Sequence, residues 1–444
     1  MNKKGLKVLF ILPEYYPHSG GGISTYYINY INSLLPFCEK IKVIIGSGYF
    51  QGDVSTTYNG IEIEHLKPQL FEKYFQKFKH YDIFLEHRKG LAASWAMQEQ
   101  SEYGKDYDII ECTDFGLGYI AWLINQKKPV ITRLHGSEGQ IEINEPSLNR
   151  NLIGNINKLT EYSLLLVSTK LVTYSTANKL FWQQIFPNKP IDLIHPTFNA
   201  AIGLSLKYKN SFATVLGRIQ QWKGPDILCE ALTGLDFKIE PINWFGRDTM
   251  YSSTVSTTQK LSNKYPLVWN TYILHKLPVN NEHIPLIQQQ TKFGIIPSTW
   301  DMFNFTCIEF LSVGTPVICS EGAGASELVI DGVNGFKYPD NDPIKLRECL
   351  YRASILTNDQ YAEMSKKAIE TIHNKLAPNI IIPKNLEIYQ DSISSFSVQK
   401  TNAYLEKIFS PSDHGYSYNE ILDQQPLKTL LNYLSKRIIQ KLKS

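Results

Sequence analysis

Short apolar runs alternate with longer amphipathic segments along most of the chain. The runs are rich in Val and Ile and apolar on both faces, as expected of parallel strands that helices cover on either side of a sheet. They predict strands at 7–12, 41–45, 108–111, 130–134 and 171–174, with helix-length stretches such as 24–35 and 118–125 between them. After a pause at 191–210, further strands are predicted at 212–216, 239–245, 269–274, 293–297 and 316–320. This alternation predicts two successive doubly wound α/β domains.

The predicted domain boundaries follow from where the alternation pauses and where it stops. We expect a first domain at 1–198 and a second at 199–378. Residues 379–396 are predicted to form one helix that returns to the first domain. The tail, 397–444, is mostly polar up to about residue 426 and ends in a segment with leucines at helical spacing and basic residues on other faces.

Composition narrows the classes of function. The 444 residues include 45 Lys or Arg and 42 Asp or Glu, a formal net charge of +3, which is too even for a protein that mainly coats nucleic acid. The six cysteines are scattered without a C-x-x-C pair, which argues against zinc ribbons and a disulfide framework. The N-terminal apolar run is short and no run approaches the roughly 20 apolar residues that span a bilayer. We therefore expect a cytoplasmic protein, with peripheral contact at the inner membrane face as an open alternative.

A glycine-rich loop, Ser19-Gly20-Gly21-Gly22, follows the first predicted strand and opens the first helix. Glycines allow close backbone approach, and a helix N-terminus offers free N–H groups to an anion. The loop is not the G-x-G-x-x-G motif, and no acidic residue follows the second strand where a dinucleotide ribose would require one. A nicotinamide oxidoreductase is therefore a distant alternative, and a tight turn without any ligand is an equally open interpretation of this loop alone.

A second loop, at 217–224, also lies just past a predicted strand and is bounded by glycines. It contains Arg218, a forked donor, and Lys223, a point charge, which together suit a diphosphate without a metal. A solvated basic loop is the alternative interpretation. Its place at the carboxyl end of a strand, where open α/β sheets bind ligands, favours a functional role.

A third segment, 297–309, ends a strand, turns, and starts a helix near residue 304 or 305. Asp301 lies in the turn and Glu309 about one helical turn into the helix, so both carboxylates can face one cleft. The N–H groups of Phe305 and Thr306 can meet a phosphate at the helix N-terminus. Acids in such positions are usually capping or solvated groups, but the apolar neighbours of Glu309 argue that its carboxylate needs a partner.

In this order and spacing, the three segments resemble retaining glycosyltransferases of family 4, the group 1 glycosyl transferases with the GT-B fold. The resemblance covers roughly residues 5 to 395. It rests on Gly20–Gly22, on Gly217-Arg218 with Lys223-Gly224, on Asp301-x7-Glu309 followed by Gly314-Thr315-Pro316-Val317, and on the stretches 322–327 and 331–335. It implies an α/β GT-B protein, in which two Rossmann-like doubly wound domains face a central cleft.

The resemblance also implies roles for individual residues. Arg218 and Lys223 would bind the donor diphosphate, and Glu309 would accept hydrogen bonds from the ribose. Asp301 would contact hydroxyls of the transferred sugar, and His135 matches a family histidine beside that sugar, although a lone histidine after a strand is more often structural. The implied catalytic residues are His135, Arg218, Lys223 and Asp301, and the implied donor-binding residues are Gly21, Gly22, Gly217, Arg218, Lys223, Asn304, Phe305, Thr306 and Glu309.

Acceptor recognition is expected in the first half of the chain. Asp114 ends a predicted strand facing the cleft, and Tyr16 and His18 flank the glycine-rich loop. Aromatic residues near a loop are more often packing residues, so these assignments rest on position alone.

Two departures from the family pattern affect the prediction. Asp301 stands where Glu is usual, so its carboxylate is one methylene shorter, which bears on the identity of the sugar more than on activity. Asn304 replaces the usual Gly, and Asn readily adopts a left-handed turn. We expect no metal and no cofactor, because Asp340-Asn341-Asp342 is typical of a surface turn.

The resemblance thus implies transfer, with retention, from a nucleotide diphosphate sugar (UDP mildly preferred) to a saccharide or lipid-linked saccharide. The setting would be the synthesis of cell-surface polysaccharide or glycoconjugate, and nucleic acid is not an expected partner. The alternative is a non-catalytic homologue that binds a sugar nucleotide or a glycan. Residues 426–444 have two open interpretations: docking on an anionic membrane, or packing on the protein itself or on a partner subunit.

Overall fold

The computed structural model describes residues 5–15, 21–145, 152–200, 209–252, 254–398, 401–412, 422 and 425–443. This part of the chain forms an eight-stranded sheet from its first half and a six-stranded sheet from its second half. Neighbouring strands are parallel except for one antiparallel pair at an edge of the first sheet. The predicted fold class, two doubly wound α/β domains, is confirmed.

The first sheet is made of eight strands and is flanked by seven helices in the described residues. The strands are β1 (Leu6–Leu12), β2 (Cys38–Ile45), β3 (Ser55–Tyr58), β4 (Ile61–His65), β5 (Ile109–Thr113), β6 (Val130–Arg133), β7 (Lys170–Thr173) and β8 (Ile191–Leu193). The helices are α1 (Gly22–Leu34), α2 (Pro68–Lys77), α3 (Leu85–Gln100), α4 (Ile120–Ile124), α5 (Glu138–Asn144), α6 (Leu152–Leu164) and α7 (Thr176–Ile185). The strand order across the sheet is β3-β4-β2-β1-β5-β6-β7-β8.

The second sheet has the strand order β11-β10-β9-β12-β13-β14. Its strands are β9 (Ser211–Leu216), β10 (Ile242–Phe245), β11 (Ile273–Lys276), β12 (Thr291–Ile296), β13 (Val317–Ser320) and β14 (Gly335–Tyr338). The helices of this half are α8 (Pro225–Leu232), α9 (Thr257–Lys264), α10 (Ile284–Gln290), α11 (Phe305–Ser312), α12 (Pro343–Ser354) and α13 (Asn358–Leu376). Three further helices follow: α14 (Pro378–Ser394), α15 (Ala403–Phe409) and α16 (Leu427–Lys443).

The strand orders place a topological switch point in each sheet. In the first sheet the chain moves outward from β1 through β2 and returns to β5 on the other side of β1. In the second sheet it moves from β9 to β10 and returns to β12 on the other side of β9. The loops after the paired central strands diverge at such a point, which opens a crevice at the carboxyl ends of the strands.

Some elements differ from the sequence-based expectation. The antiparallel hairpin β3–β4 was not expected, because its first strand is exposed and polar, yet Asn59-Gly60 between the strands takes positive φ values of 51° and 80°, as a two-residue hairpin turn requires. The strand predicted at 269–274 lies instead at 273–276. Trp269, which suggested the earlier start, is buried against Trp244 with ring centroids 6.4 Å apart.

Helix α14 packs on the first domain through a buried polar network. Arg133, at the end of β6, donates from Nε to Glu111 Oε1 over 2.7 Å and from Nη2 to Asn385 Oδ1 of α14 over 3.0 Å. Tyr389 of α14 donates to the other oxygen of Glu111 over 2.7 Å. The charges of Arg133 and Glu111 are therefore buried as a hydrogen-bonded pair. Burying either charge without a partner would strongly destabilise the fold.

The polar stretch expected after residue 397 contains a short helix that docks on the first domain. Phe409, in α15, is buried, and its carbonyl accepts a hydrogen bond of 2.8 Å from Trp95 Nε1. Among the described residues, none of the helices combines the length and the apolar character that crossing a bilayer requires.

Candidate active site

Loops from both switch points meet in one cleft between the domains. Gly22, at the start of α1, lies so near α11 that an added Cβ would stand 3.1 Å from the ring of Phe305. Ser175, after β7, donates a hydrogen bond of 2.7 Å to the carbonyl of Met302 in the turn that precedes α11. The first residue of α1 in the first domain therefore faces the N-terminus of α11 in the second domain.

A cavity at this cleft is lined by the ends of β9 and β12 and by four of the residues that the family resemblance implies for donor binding. These four are Gly217, Arg218, Lys223 and Asn304. Gly217 has a φ of +143° and open space where a Cβ would be, and Gly224 has a φ of +72° with the carbonyl of Pro297 only 1.8 Å from that position. The second glycine lets the basic loop press against the end of β12, which brings Lys223 beside the turn at 298–304.

Lys223 and Asp301 form an ion pair beside the cavity. Lys223 Nζ lies 2.5 Å from Asp301 Oδ2, and the side chains are 21% and 12% exposed. Asn304 Nδ2 donates to the same oxygen over 2.9 Å. The short carboxylate is thus held from two sides, by Asn304 three positions away in sequence and by Lys223, which is 78 positions away.

Asn304 also begins helix α11. Its backbone takes the left-handed conformation, with φ of +77°, and its Oδ1 accepts a hydrogen bond of 3.2 Å from the N–H of Cys307. The N–H groups of Phe305 and Thr306 have no hydrogen-bond partner among the described residues. They add partial positive charge at the same end of the cavity.

Arg218 is exposed beside the cavity and forms no hydrogen bond or ion pair with any described residue. Removal of water by the surrounding loops and the nearby positive charge of Arg247 lower the pKa of Arg218, while Glu14 and Asp301 act in the opposite direction. A cation without a carboxylate partner beside a cavity is suited to an anionic ligand.

Arg247 was missed by the sequence analysis. It follows β10 in Gly246-Arg247, the same spelling as Gly217-Arg218 after β9. Its carbonyl accepts a hydrogen bond of 3.0 Å from the N–H of Ile219, so the two loops run side by side. The repeated Gly-Arg after adjacent strands was a usable pattern, but only the order of β9 and β10 in the sheet shows that the two arginines are neighbours.

Glu14 is a second residue that sequence reasoning missed. It follows β1, and its Oε1 accepts a hydrogen bond of 3.0 Å from the N–H of Ser24 in the first turn of α1. Burial raises the pKa of Glu14, whereas this hydrogen bond and the charge of Arg218 lower it. The N-terminus of α1, predicted to be free for an anion, thus already has one carboxylate, and Gly21 leaves it room, since a Cβ there would stand 2.5 Å from Glu14 Oε1.

Glu309 lies one turn deeper in α11 and does not line the cavity formed by the basic loop. It is half-buried, and its Oε2 accepts a hydrogen bond of 3.2 Å from Gln288 of α10. Burial raises its pKa, and the Gln288 amide partly offsets that rise. The carboxylate therefore has a partner, as its apolar neighbours led us to expect, and its other oxygen accepts no hydrogen bond from a described residue.

His135 sits in an aromatic cluster where the two domains meet. Its Nε2 is 2.6 Å from the hydroxyl of Tyr174, and its ring centroid is 5.2 Å from that of Tyr26 and 5.3 Å from that of Tyr27. Burial, and then the charge of Arg133, hold the pKa of His135 well below its usual range. The imidazole is therefore uncharged at neutral pH, and it lies outside the residues that line the cavity beside Arg218 and Lys223.

Asp114 supports the backbone next to His135. It is fully buried, and its Oδ1 accepts a hydrogen bond of 2.8 Å from the N–H of His135. Burial raises the pKa of Asp114 to about 7, and backbone N–H groups limit the rise. The carboxylate contacts the protein rather than the cleft, so its assignment to the acceptor stays a prediction.

Two of the predicted acceptor residues, Tyr16 and His18, lie outside the described residues. The Asp340-Asn341-Asp342 sequence forms a turn in which Asn341 has a φ of +56°. Asp342 Oδ1 accepts a hydrogen bond of 2.9 Å from the N–H of Lys345 and so caps α12. These acids begin a helix on the surface of the second domain, away from the cavity.

The match to a known protein family lies mostly in the second domain. Residues 203–371 match the family model described as "Glycosyl transferases group 1". A D-inositol 3-phosphate glycosyltransferase of Corynebacterium diphtheriae is 22% identical over 272 residues, which are 55% of this chain and 62% of that protein. The first curated relatives are thus matched over less than two thirds of their own length.

Solved structures share the two-domain architecture over most of this chain. Sucrose-phosphate synthase from Thermosynechococcus elongatus has a TM-score of 0.66 at 15% identity, over 88% of this chain and 100% of that one. Anabaena HepE, solved in complex with UDP-glucose, has a TM-score of 0.61 at 16% identity, over 87% and 100%. The fold is therefore GT-B, with two Rossmann-like domains about a cleft. More narrowly, residues 203–371 are similar to the group 1 glycosyl transferases, and the curated relatives that the chain resembles at low identity are named glycosyltransferases.

Proposed function

We propose that the chain is a retaining glycosyltransferase of family 4, which moves a sugar from a nucleotide diphosphate sugar to a saccharide or lipid-linked saccharide. The observation that carries the proposal is the convergence of Arg218, Lys223 and the N-terminus of α11 on one cavity. A diphosphate leaving group gains negative charge as the bond to the sugar breaks. Fixed positive groups placed at that charge lower the barrier.

The ion pair between Lys223 and Asp301 suggests how donor binding prepares the site. A diphosphate would compete with Asp301 for Lys223 Nζ, since both are anionic acceptors. Asn304 would keep its hydrogen bond to Asp301 after Lys223 has turned away. Asp301 would then accept hydrogen bonds from hydroxyls of the transferred sugar, so that binding of the diphosphate and orientation of the sugar are coupled.

The other residues near the cleft are assigned roles in binding the ribose, the sugar and the phosphates. Glu309 would accept hydrogen bonds from the ribose with the oxygen that Gln288 does not occupy. Uncharged His135 would present its loop to the sugar, with Asp114 holding the loop by the N–H of His135. Arg247 would add a further cation near the phosphates. Independence of a metal belongs to the same proposal, because these side chains already supply positive charge at the phosphates. Retention without a covalent nucleophile is proposed from the resemblance to the retaining family.

The donor and acceptor classes are also proposals. The Anabaena structure with UDP-glucose supports a mild preference for UDP sugars. We place the acceptor in the first domain and the product in cell-surface polysaccharide or glycoconjugate synthesis. A lipid-linked acceptor would be reached at the inner membrane face, with residues 426–444 in contact with that membrane.

A panel of UDP, GDP and ADP sugars in a thermal-shift assay tests donor binding. At a concentration 100 times its dissociation constant, a true donor stabilises the folded state by about 2.7 kcal/mol. We expect one nucleotide class to raise the melting midpoint and the same class to be hydrolysed slowly without acceptor. If no sugar nucleotide shifts the midpoint, the proposal is wrong.

The alternative, a non-catalytic homologue, is favoured by one observation: Lys223 is already paired with the shortened acid. Donor hydrolysis by the native chain and by Asp301→Glu separates the two functions. A binding module would show thermal stabilisation by a donor but no hydrolysis, with activity appearing only in the variant. An enzyme would hydrolyse the donor as it stands.

A further inference from the structure

Helix α16 has an apolar stripe that is exposed to solvent. The stripe consists of Leu427, Leu431, Leu434, Ile438 and Leu442, which are between 54% and 81% exposed. At 3.6 residues per turn, these five side chains fall within about 80° of one another around the helix axis. A row of large exposed apolar side chains along about 25 Å of helix is typical of a surface that binds a membrane or another protein.

The preceding helix shows how the tail attaches to the protein. In α15, Phe409 is buried, and Tyr81 donates a hydrogen bond of 2.9 Å to the carbonyl of Ile408. Ser412 extends this attachment by donating its N–H to the carbonyl of Lys77 over 3.2 Å. Residues 401–412 are therefore attached to the first domain, whereas the stripe of α16 is exposed. Among the interpretations left open by the sequence, this exposure favours a membrane or a partner subunit over packing on the protein itself.

Charge distinguishes between the possible occupants of the stripe. Residues 427–443 contain five cations and no acid: Lys428, Lys436, Arg437, Lys441 and Lys443. The rest of the chain has 40 Lys or Arg against 42 Asp or Glu, so this helix alone makes the net charge positive. Lys428 and Arg437 flank the stripe on opposite sides, where long cationic side chains reach anionic headgroups while the stripe is immersed.

A second copy of the chain is a poor occupant for the same reason. Pairing two α16 helices through their stripes would bring five cations alongside five others, with no carboxylate on either helix to compensate them. Like charges facing each other across a helix pair oppose association.

We propose that α16 docks the protein on an anionic lipid bilayer, lying in the plane of the interface with its stripe toward the acyl chains. The attachment of α15 then sets the first domain beside the membrane. This inference rests on the membrane contact proposed above for residues 426–444 and deepens it. The vesicle assays use no sugar nucleotide, so their failure would leave the proposed transferase activity untouched.

Co-sedimentation of the full chain with vesicles tests the proposal. We expect binding to vesicles of phosphatidylcholine with phosphatidylglycerol, little binding to phosphatidylcholine alone, and release as salt is raised, because salt screens exposed charges. Neutralising Arg437 with Gln should weaken partitioning about fivefold, the contribution of one basic residue near an anionic surface.

Two adjacent isoleucines provide a matched pair. Ile438 lies in the stripe and is 58% exposed, whereas Ile439 lies about 100° away on the polar side and is 51% exposed. Ile438→Gln should weaken vesicle binding about tenfold, through loss of one buried apolar side chain, and Ile439→Gln should change it by less than about twofold. Equal effects of the two substitutions would overturn the proposal.

Sedimentation velocity without lipid gives a further outcome that overturns it. A dimer that Leu434→Gln with Ile438→Gln converts to monomer would assign the stripe to a second copy of the chain. Circular dichroism spectra and melting midpoints that match the native chain in every variant would show that the domains are still folded, so loss of vesicle binding would be due to the helix.

Discussion

Arg218→Ala is the substitution that most directly tests the anion site, because the structure predicts a large effect on ligand binding and almost none on stability. The guanidinium has no ion pair or hydrogen bond among the described residues, and Arg247 repels it. Its removal should therefore cost the folded protein almost nothing. The same substitution removes a charged hydrogen-bond donor that we expect to contact the bound diphosphate.

The size of the two effects can be worked out from these contacts. A hydrogen bond to a charged group contributes about 1.5–3 kcal/mol, so kcat/KM should fall about 10- to 150-fold. The free energy of unfolding should change by less than about 0.5 kcal/mol, as for a surface substitution that breaks no pair. Arg352→Ala is the matched control, since Arg352 pairs with Asp331 over 3.0 Å at a surface where both side chains are over 40% exposed.

The assay is donor turnover by coupled detection of the released nucleotide, alongside denaturant unfolding of the same preparations. We expect Arg218→Ala to lose activity at unchanged stability, and Arg352→Ala to keep full activity with a stability loss of at most about 1 kcal/mol. Unchanged turnover in Arg218→Ala, or an activity loss matched by Arg352→Ala, would refute the reasoning.

Three further predictions concern residues that the structure ties together. Asn304→Ala should lower the melting midpoint more than Asn304→Gly, because the left-handed backbone at this position costs Ala, but not Gly, about 1–2 kcal/mol. Differential scanning calorimetry of both variants checks this. Burial raises the pKa of Asp114 to about 7 from 3.8, so its protonation stabilises the fold fully below about pH 4, and this contribution is lost as the pH rises through 7. Between pH 4 and 7, the free energy of unfolding in urea should therefore depend less on pH in Asp114→Asn than in the native chain. The same pH dependence in both proteins would contradict the burial argument. Arg133→Met should cost about 3–5 kcal/mol by leaving Glu111 buried and unpaired, whereas Lys7→Met, which breaks an exposed pair with Glu39, should change the unfolding midpoint little; comparable losses in the two variants would disprove the difference.

Much of the architecture was predictable because a buried parallel strand carries its own pattern. The apolar runs at 7–12, 130–134 and 212–216 correspond to β1, β6 and β9 within one or two residues. Exposed edge strands such as β3 have no such pattern, and they were missed. The loops that contain Gly21, Arg218 and Asp301 could likewise be found from sequence, because each directly follows a strand that the pattern predicts.

What the sequence could not decide was which side chains from these loops meet. The pairing of Lys223 with Asp301, the approach of Arg247 to Arg218, and the use of Glu14 at the start of α1 all depend on strand order and on the packing of the two sheets about the cleft. Strand formation depends on neighbours a few residues away, so it can be read from the chain in order. Charge pairing depends on distances of a few ångströms between residues far apart in sequence, and those distances exist only once both domains have folded against each other.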